Sequence, residues 1–174
     1  TSTFEAECDF LKAPKFVDIR QQNSRLKTFR KLSIANTPVS QILSEGEQRA
    51  ISLADFLTEV QLNPQNKGVV FDDPVTSLDH QRRALIAERL VKLAVTKQVI
   101  IFTHDISFFS KLTHFAKVFN ISSSQTTIRK IGDIIGVVSP DLPWITQKIS
   151  DRVKYLRNAL VRLAKLEKEG KEDE

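Results

Sequence analysis

The chain has 174 residues, 41% of them hydrophobic and 27% charged, and a formal net charge of +5, which fits one soluble globular domain and not a disordered segment. Its longest apolar runs, Val99–Phe102 and Ile134–Val138, fall far short of the roughly 20 residues a membrane helix needs, which excludes a membrane-spanning protein. The first residues carry Glu5, Glu7 and Asp9 without an apolar run, and Cys8 is the one cysteine, so neither a signal peptide nor an internal disulfide is expected and a reducing cytoplasm is the expected compartment.

The charge is uneven. Residues 167–174 hold five acids and two lysines, so residues 1–166 carry an excess of eight positive charges. That excess suits an acidic partner, with nucleic acid the common one, and is also ordinary for a solvated surface. The chain has no methionine and no GxxxxGK[ST] string; both suggest one part of something larger.

In chain order, residues 1–14 are mixed and weakly patterned. Lys15–Ile19 and Thr28–Ile34 read as strands of a hairpin, with polar Gln21–Ser24 as its turn. Five basic residues (Arg20, Arg25, Lys27, Arg30, Lys31) and no acid lie along it. Such a hairpin can track a phosphate backbone or simply be solvated, and its single aromatic, Phe29, does not support a base-stacking platform. Ala35–Val39 reads as a loop. Ser44 opens a helix to about Gln61, with Ile51, Leu53, Ala54, Leu57 and Val60 as its stripe.

Gly68–Phe71 is a short apolar run ending in two acids, predicted as a buried strand. A helix over His80–Val95 follows, then a second buried strand over Gln98–Thr103 and a short helix over Phe108–Phe115. Lys117–Ile121 and Thr126–Ile131 read as strands. Pro143 suits a helix start. Ile145, Ile149, Val153, Leu156, Leu160 and Leu163 then mark one face of a long amphipathic helix with Lys148, Arg152, Lys154, Arg157, Arg162 and Lys165 on or near its polar side. That helix can pack on its own domain, dock a partner, face DNA or serve as a coiled-coil stem. Alternating strand and helix from Gly68 to Phe115 predicts parallel strands and an α/β layer fold.

Three strings carry the chemistry: Leu43–Arg49 (LSEGEQR), Val69–Asp79 (VVFDDPVTSLD) and Phe102–Asp105 (FTHD). Asp72 and Asp73 end a strand, at the sheet edge where open α/β folds bind ligands. One carboxylate there can hold Mg²⁺, which prefers hard oxygen ligands. The next can orient or deprotonate a water. Acids also end strands simply because a loop begins. Ser44 and Glu47 have capping-box spacing, which is sufficient explanation by itself. The same helix N-terminus is a natural phosphate site, and Gly46 permits close backbone approach. If its strand runs parallel to and near Gly68–Asp72, His104 reaches the same edge and can contact a terminal phosphate.

In order and spacing the three strings resemble the carboxyl-terminal half of an ABC-type ATPase, over Leu43–Asp105. Leu43–Gln48 is similar to the signature motif, Val69–Asp73 to Walker B, Ser77–Asp79 to the D-loop and His104 to the switch histidine. The soluble SMC, RecF and RecN branch is the nearer kin. The strings SEGEQRA, FDDPVTSLDH and FTHD resemble bacterial defence ATPases of the RloC and PrrC anticodon-nuclease type. The resemblance implies a partial P-loop NTPase sheet with flanking helices: a lobe over residues 1–140, then a long amphipathic helix and acidic tail over 141–174.

It also implies a mechanism in which two heads close head to tail around two ATP molecules. Ser44, Gly46, Glu47 and Gln48 would bind the ATP of the opposite head. Asp72 would hold Mg²⁺, Asp73 would act on the water, His104 would sense the γ-phosphate, and Ser77 and Asp79 would touch the other head. Hydrolysis would then release the dimer.

This chain departs from the family pattern in three ways. Asp73 stands where glutamate is usual, one methylene shorter, which implies slow hydrolysis. Glu45 replaces the first signature glycine. Walker A and the Q-loop are absent, so the chain is expected to be one carboxyl-terminal lobe, inactive alone and completed by an amino-terminal Walker A lobe of the same or another chain. Two other readings are a transporter's nucleotide-binding subunit and a non-catalytic module offering the signature motif in trans.

Overall fold

The computed structural model describes residues 2–14, 17–24, 27–140 and 149–172. The chain divides into two compact units, Thr1–Ser122 and Ser123–Glu174.

In the first unit, α1 (Ser2–Phe10) precedes an antiparallel ribbon of β1 (Asp18–Ser24) and β2 (Lys27–Ile34). The expected turn at Gln21–Ser24 is instead strand: Gln21 pairs with Arg30 and Ser24 with Lys27. Strand membership follows the backbone ladder, in which polar residues pair by the same N–H and C=O groups as apolar ones, so low β propensity did not prevent pairing here. Lys15 and Phe16 of the predicted first strand lie outside the described residues. The Ala35–Val39 loop resolves into a tight turn. Ala35 and Asn36 both have positive φ (48° and 66°), as a two-residue hairpin turn requires, and the two-residue β3 (Thr37–Pro38) folds back on Ser33 and Ile34. The short α2 (Val39–Ile42) follows.

The helix after Ser44 forms as expected: α3 spans Glu45–Leu62 with Ser44 as N-cap. Pro64 follows its C-cap, Asn63, and the residue before proline is pushed out of the helical region. Then come β4 (Gly68–Asp72), α4 (His80–Leu93), β5 (Gln98–Phe102) and α5 (Ile106–Val118). β4 and β5 pair in parallel, Asp72 opposite Phe102. One core gathers Leu11 beyond α1, Ile51 and Leu57 of α3, Phe71 of β4, Ile86 and Leu90 of α4 and Phe108 of α5.

The strands are half-buried, not buried as expected. Val69 and Phe71 face the core, but Val70 (57%), Ile100 (42%) and Phe102 (47%) are exposed on the other face. Parallel strands normally have both faces covered; among the described residues of the first unit, the face with Val69 and Phe71 is covered.

Residues 1–14 are weakly patterned in sequence, yet Ser2–Phe10 is helical, and Glu7 explains why. It sits on the inner face, 5% exposed, because Arg89 of α4 takes both its oxygens (Nε at 2.9 and 3.0 Å, Nη2 at 2.5 Å) and Gln61 donates to Oε1. A charge breaks the apolar stripe that marks a helix.

The strand expected at Lys117–Ile121 does not form. Its start is the last turn of α5, where Phe115 and Phe119 stack with ring centres 6.0 Å apart, and Asn120 (φ 54°) ends the run. Packing at helical spacing overrides the β preference of Val118, Phe119 and Ile121.

In the second unit, β6 (Thr127–Ile131) and β7 (Ile134–Ser139) form an antiparallel hairpin, the second strand built from the apolar run Ile134–Val138. The long helix α6 spans Ile149–Glu172. Pro143, Ile145 and Lys148 lie outside the described residues. Ile149, Leu156, Leu160 and Leu163 are exposed along it. Among the described residues no helix is long and apolar enough to cross a membrane. The fold is mixed α/β, small sheets with flanking helices, as expected.

Candidate functional site

The parallel pair delivers its carboxyl ends side by side, and the chemistry-bearing loops leave from there. Asp72 closes β4, exposed. Asp73 extends the ladder by one bond, its amide donating to the Phe102 carbonyl at 2.8 Å. Its backbone is left-handed, φ 43°, a region aspartate tolerates better than most residues. The turn that follows holds Thr76, whose hydroxyl lies 3.1 Å from Asp73 Oδ2, and Ser77, again left-handed at φ 61°.

The carboxylate of Asp73 gathers the second loop as well. Thr103 donates its hydroxyl to Oδ1 at 3.0 Å, and His104 Nδ1 lies 2.8 Å from Oδ2. His104 is otherwise in solvent, 86% exposed, against 20% for Asp73. A ring that donates through Nδ1 presents Nε2 outward; it donates there too only when doubly protonated. The structure thus brings Asp73 and His104 together, with Asp72 one residue away at the same edge.

Ser44, Gly46, Glu47 and Gln48 form a second cluster. Ser44 donates its hydroxyl (2.7 Å) and its amide (2.9 Å) to Glu47 Oε2, and its Oγ accepts the Glu47 amide at 3.4 Å, a reciprocal capping box. These bonds, the hydroxyl's first, hold the Glu47 carboxyl below the usual range. Gln48 ties the helix back through Nε2 to the Leu43 carbonyl at 2.8 Å, and Glu45 pairs with Arg49 at 2.9 Å. Asp79 caps α4, accepting the amides of Gln81 and Arg82 at 2.9 Å; the Arg82 amide is the main reason its carboxyl is held low.

Gly46 lies against this second helix start. A Cβ there would stand 3.4 Å from Arg82 Nη1, 3.5 Å from the Ser77 carbonyl and 3.6 Å from Leu78 Cδ2. These are ordinary contact distances, so alanine fits and anything larger must displace the 77–82 segment. Gly46→Ala is expected to leave stability unchanged or raise it by up to about 1 kcal/mol, since alanine outranks glycine in a helix. Gly46→Leu is expected to lower the melting temperature; thermal unfolding of the two variants checks both.

Thr76, Thr103, Arg83 and Asp105 also belong to this region, although none of them is a candidate site residue in sequence. Two threonines beside the acid and the histidine were a local signal. Arg83 had none, because its partner Asp105 is 22 positions away. Among the described residues no group of three or more His, Cys, Asp or Glu could hold a metal. Of the basic hairpin Arg20–Lys31, the side chains lie outside the described residues.

A family model described as an AAA domain matches residues 21–160. No curated protein matches the chain. Among solved structures, one from work on ATP-driven dimerisation and DNA-stimulated activation of SMC ATPases superposes with a TM-score of 0.52 at 14% identity, covering 91% of this chain and 93% of that one. Another, an SMC head bound to the C-terminal winged-helix domain of ScpA, gives a TM-score of 0.47 at 14% identity over 63% of this chain and 35% of that one. At such identity the first likeness is one of fold.

Proposed function

The chain belongs to the AAA-domain family, and from that premise we propose that it is the carboxyl-terminal lobe of an SMC/RecF-like ATPase head that closes head to tail with a second head around ATP. The observation that carries the reading is the meeting of Asp73 and His104, 2.8 Å apart, at the carboxyl edge of two parallel strands. In this reading residues 1–140 form the lobe and 141–174 an amphipathic extension.

Asp73 orients the attacking water, its two oxygens fixed by Thr103, Thr76 and His104. His104 offers Nε2 to the terminal phosphate. Asp72, a hard oxygen donor at an exposed strand end, would hold Mg²⁺, which usually takes only one or two protein carboxylates. Such an ion neutralises phosphate charge. Ser44 and Gly46 present a helix N-terminus, where backbone N–H groups and the helix dipole favour an anion, to the nucleotide of the opposite head. Glu47 and Gln48 hold that turn in shape. Ser77 and Asp79 border it and would face the other head.

The amino-terminal Walker A lobe is the partner that the bare face of β4 and β5 would receive, with Val70, Ile100 and Phe102 as its apolar centre. Work on nucleic acid, in repair or in phage defence of the RloC/PrrC type, suits the excess of positive charge over residues 1–166.

Ser44→Arg in the complete head tests the trans role. It puts a long cationic side chain where a phosphate would sit. Sedimentation with ATP and Mg²⁺ is expected to show dimers for the wild type and monomers for Ser44→Arg, with ATP binding retained. Ser44→Ala, which loses only the cap, is expected to cost about 1 kcal/mol of stability. If Ser44→Arg dimerises with ATP as the wild type does, the 44–48 segment has no such role.

A further inference from the structure

One side chain bonds to both loops of the site. Arg83, on the first turn of α4, donates Nε to the Leu78 carbonyl at 2.9 Å and Nη1 to Asp105 Oδ2 at 2.6 Å. Leu78 lies in the turn that follows Asp73. Asp105 lies just past His104, and it is itself fixed. Its Oδ1 accepts the Phe108 amide at 2.9 Å, capping α5, and its amide donates to Thr103 Oγ1 at 3.1 Å. The same Thr103 hydroxyl donates to Asp73 Oδ1 at 3.0 Å. An unbroken path of bonds therefore runs from the Leu78 carbonyl through Arg83, Asp105 and Thr103 to the Asp73 carboxylate.

We propose that Arg83 is a positioning residue that couples the turn at 74–79 to the loop at 103–105, so that a displacement of the first moves Asp73 and His104. The geometry of arginine suits this. Its planar fork reaches two acceptors in fixed directions at once, whereas a lysine ammonium is a compact point charge on a flexible stem. The pair is also sheltered, Arg83 30% and Asp105 18% exposed, so water competes less for these bonds than on an open surface. The idea rests on the proposed hydrolytic role of Asp73 and His104. Through it, contacts made at Ser77 or Asp79 would reach the hydrolytic pair of the same head.

The alternative is that Arg83 only ties α4 to α5. Two measurements on the complete head separate these. In Arg83→Lys, ATP turnover is expected to fall about tenfold with KM for ATP within twofold and the melting temperature near that of the wild type. Turnover at the wild-type rate would leave Arg83 a structural tie. Hydrogen exchange then tests the coupling without any catalysis. Asp105→Asn keeps a side-chain oxygen to cap α5 but gives Arg83 no anion. It touches neither Thr76 nor Leu78, whose amides donate to Asp73 and Val75. Exchange at these two amides is expected to rise at least fivefold. Unchanged exchange there overturns the proposal. Should Asp73→Asn hydrolyse ATP as the wild type does, the hydrolytic reading is what fails, and the exchange result still decides whether the two loops are coupled.

Discussion

Replacing Asp73 with asparagine in the complete head is expected to lower ATP turnover at least about 100-fold, with KM for ATP within a few-fold and the ATP-bound dimer accumulating. General-base and water-orienting groups typically contribute 10²–10⁴-fold, and a 100-fold loss corresponds to about 2.7 kcal/mol in the barrier. The substitution is mild for the fold. Asparagine shares the tolerance for the left-handed backbone seen at residue 73 (φ 43°). Its amide oxygen can still accept one bond from Thr103 or Thr76. What it loses is the second acceptor oxygen and the negative charge facing His104. Single-turnover hydrolysis with an unchanged melting temperature isolates that loss; turnover at the wild-type rate would remove Asp73 from the hydrolytic role.

The second large effect lies far from the edge. Glu7→Ala is expected to destabilise the chain by about 3–5 kcal/mol, the usual cost of leaving a buried ion without its partner. Arg89 is 12% exposed and directs three hydrogen bonds at the Glu7 carboxylate; without it the guanidinium is stranded among α1, α3 and α4. For a chain of this size that corresponds to a fall of about 6–20 °C in melting temperature. Glu7→Leu combined with Arg89→Leu is expected to recover most of the loss, because apolar groups of similar volume can replace a buried pair. Denaturant titration of the single and double variants checks both. A loss under about 0.5 kcal/mol in Glu7→Ala would mean the pair contributes little.

These two residues also mark what was readable beforehand. The stretch from Ser44 to Phe115 could be read because each local signal agreed with the tertiary outcome. Ser44 and Glu47 fixed one helix start, apolar runs bounded by polar turns fixed β4 and β5, and the parallel arrangement then carried Asp73 and His104 to one edge. An aspartate directly before a helix predicted from His80 is itself an N-cap signal, so the place of Asp79 at the start of α4 was open to sequence reasoning, beside its part in the string Ser77–Asp79. α1 was hidden because its inner face includes a glutamate whose justification, Arg89, lies 82 positions on. The last turn of α5 was misread because Val118, Phe119 and Ile121 favour strands in isolation, while the Phe115–Phe119 stack favours the helix. Arg83 illustrates the general difficulty: its two acceptors are unrelated in sequence and meet only once α4 and α5 are side by side. The bare face of β4 and β5 could not be foreseen either, since an apolar run says that burial is favoured but not by what.

That bare face makes stability a shared quantity. Val70, Ile100 and Phe102 remain in water in this chain, and removing apolar surface from water yields roughly 25 cal/mol per Å². Whatever covers them binds the folded form and not the unfolded one, so it raises the folded population in proportion to its own concentration. Linkage makes the effect mutual: the covering surface gains from this chain as much free energy as it gives. If the proposed amino-terminal lobe is what covers this face, the melting point becomes a property of the assembled pair, set by how much of that counterpart is present.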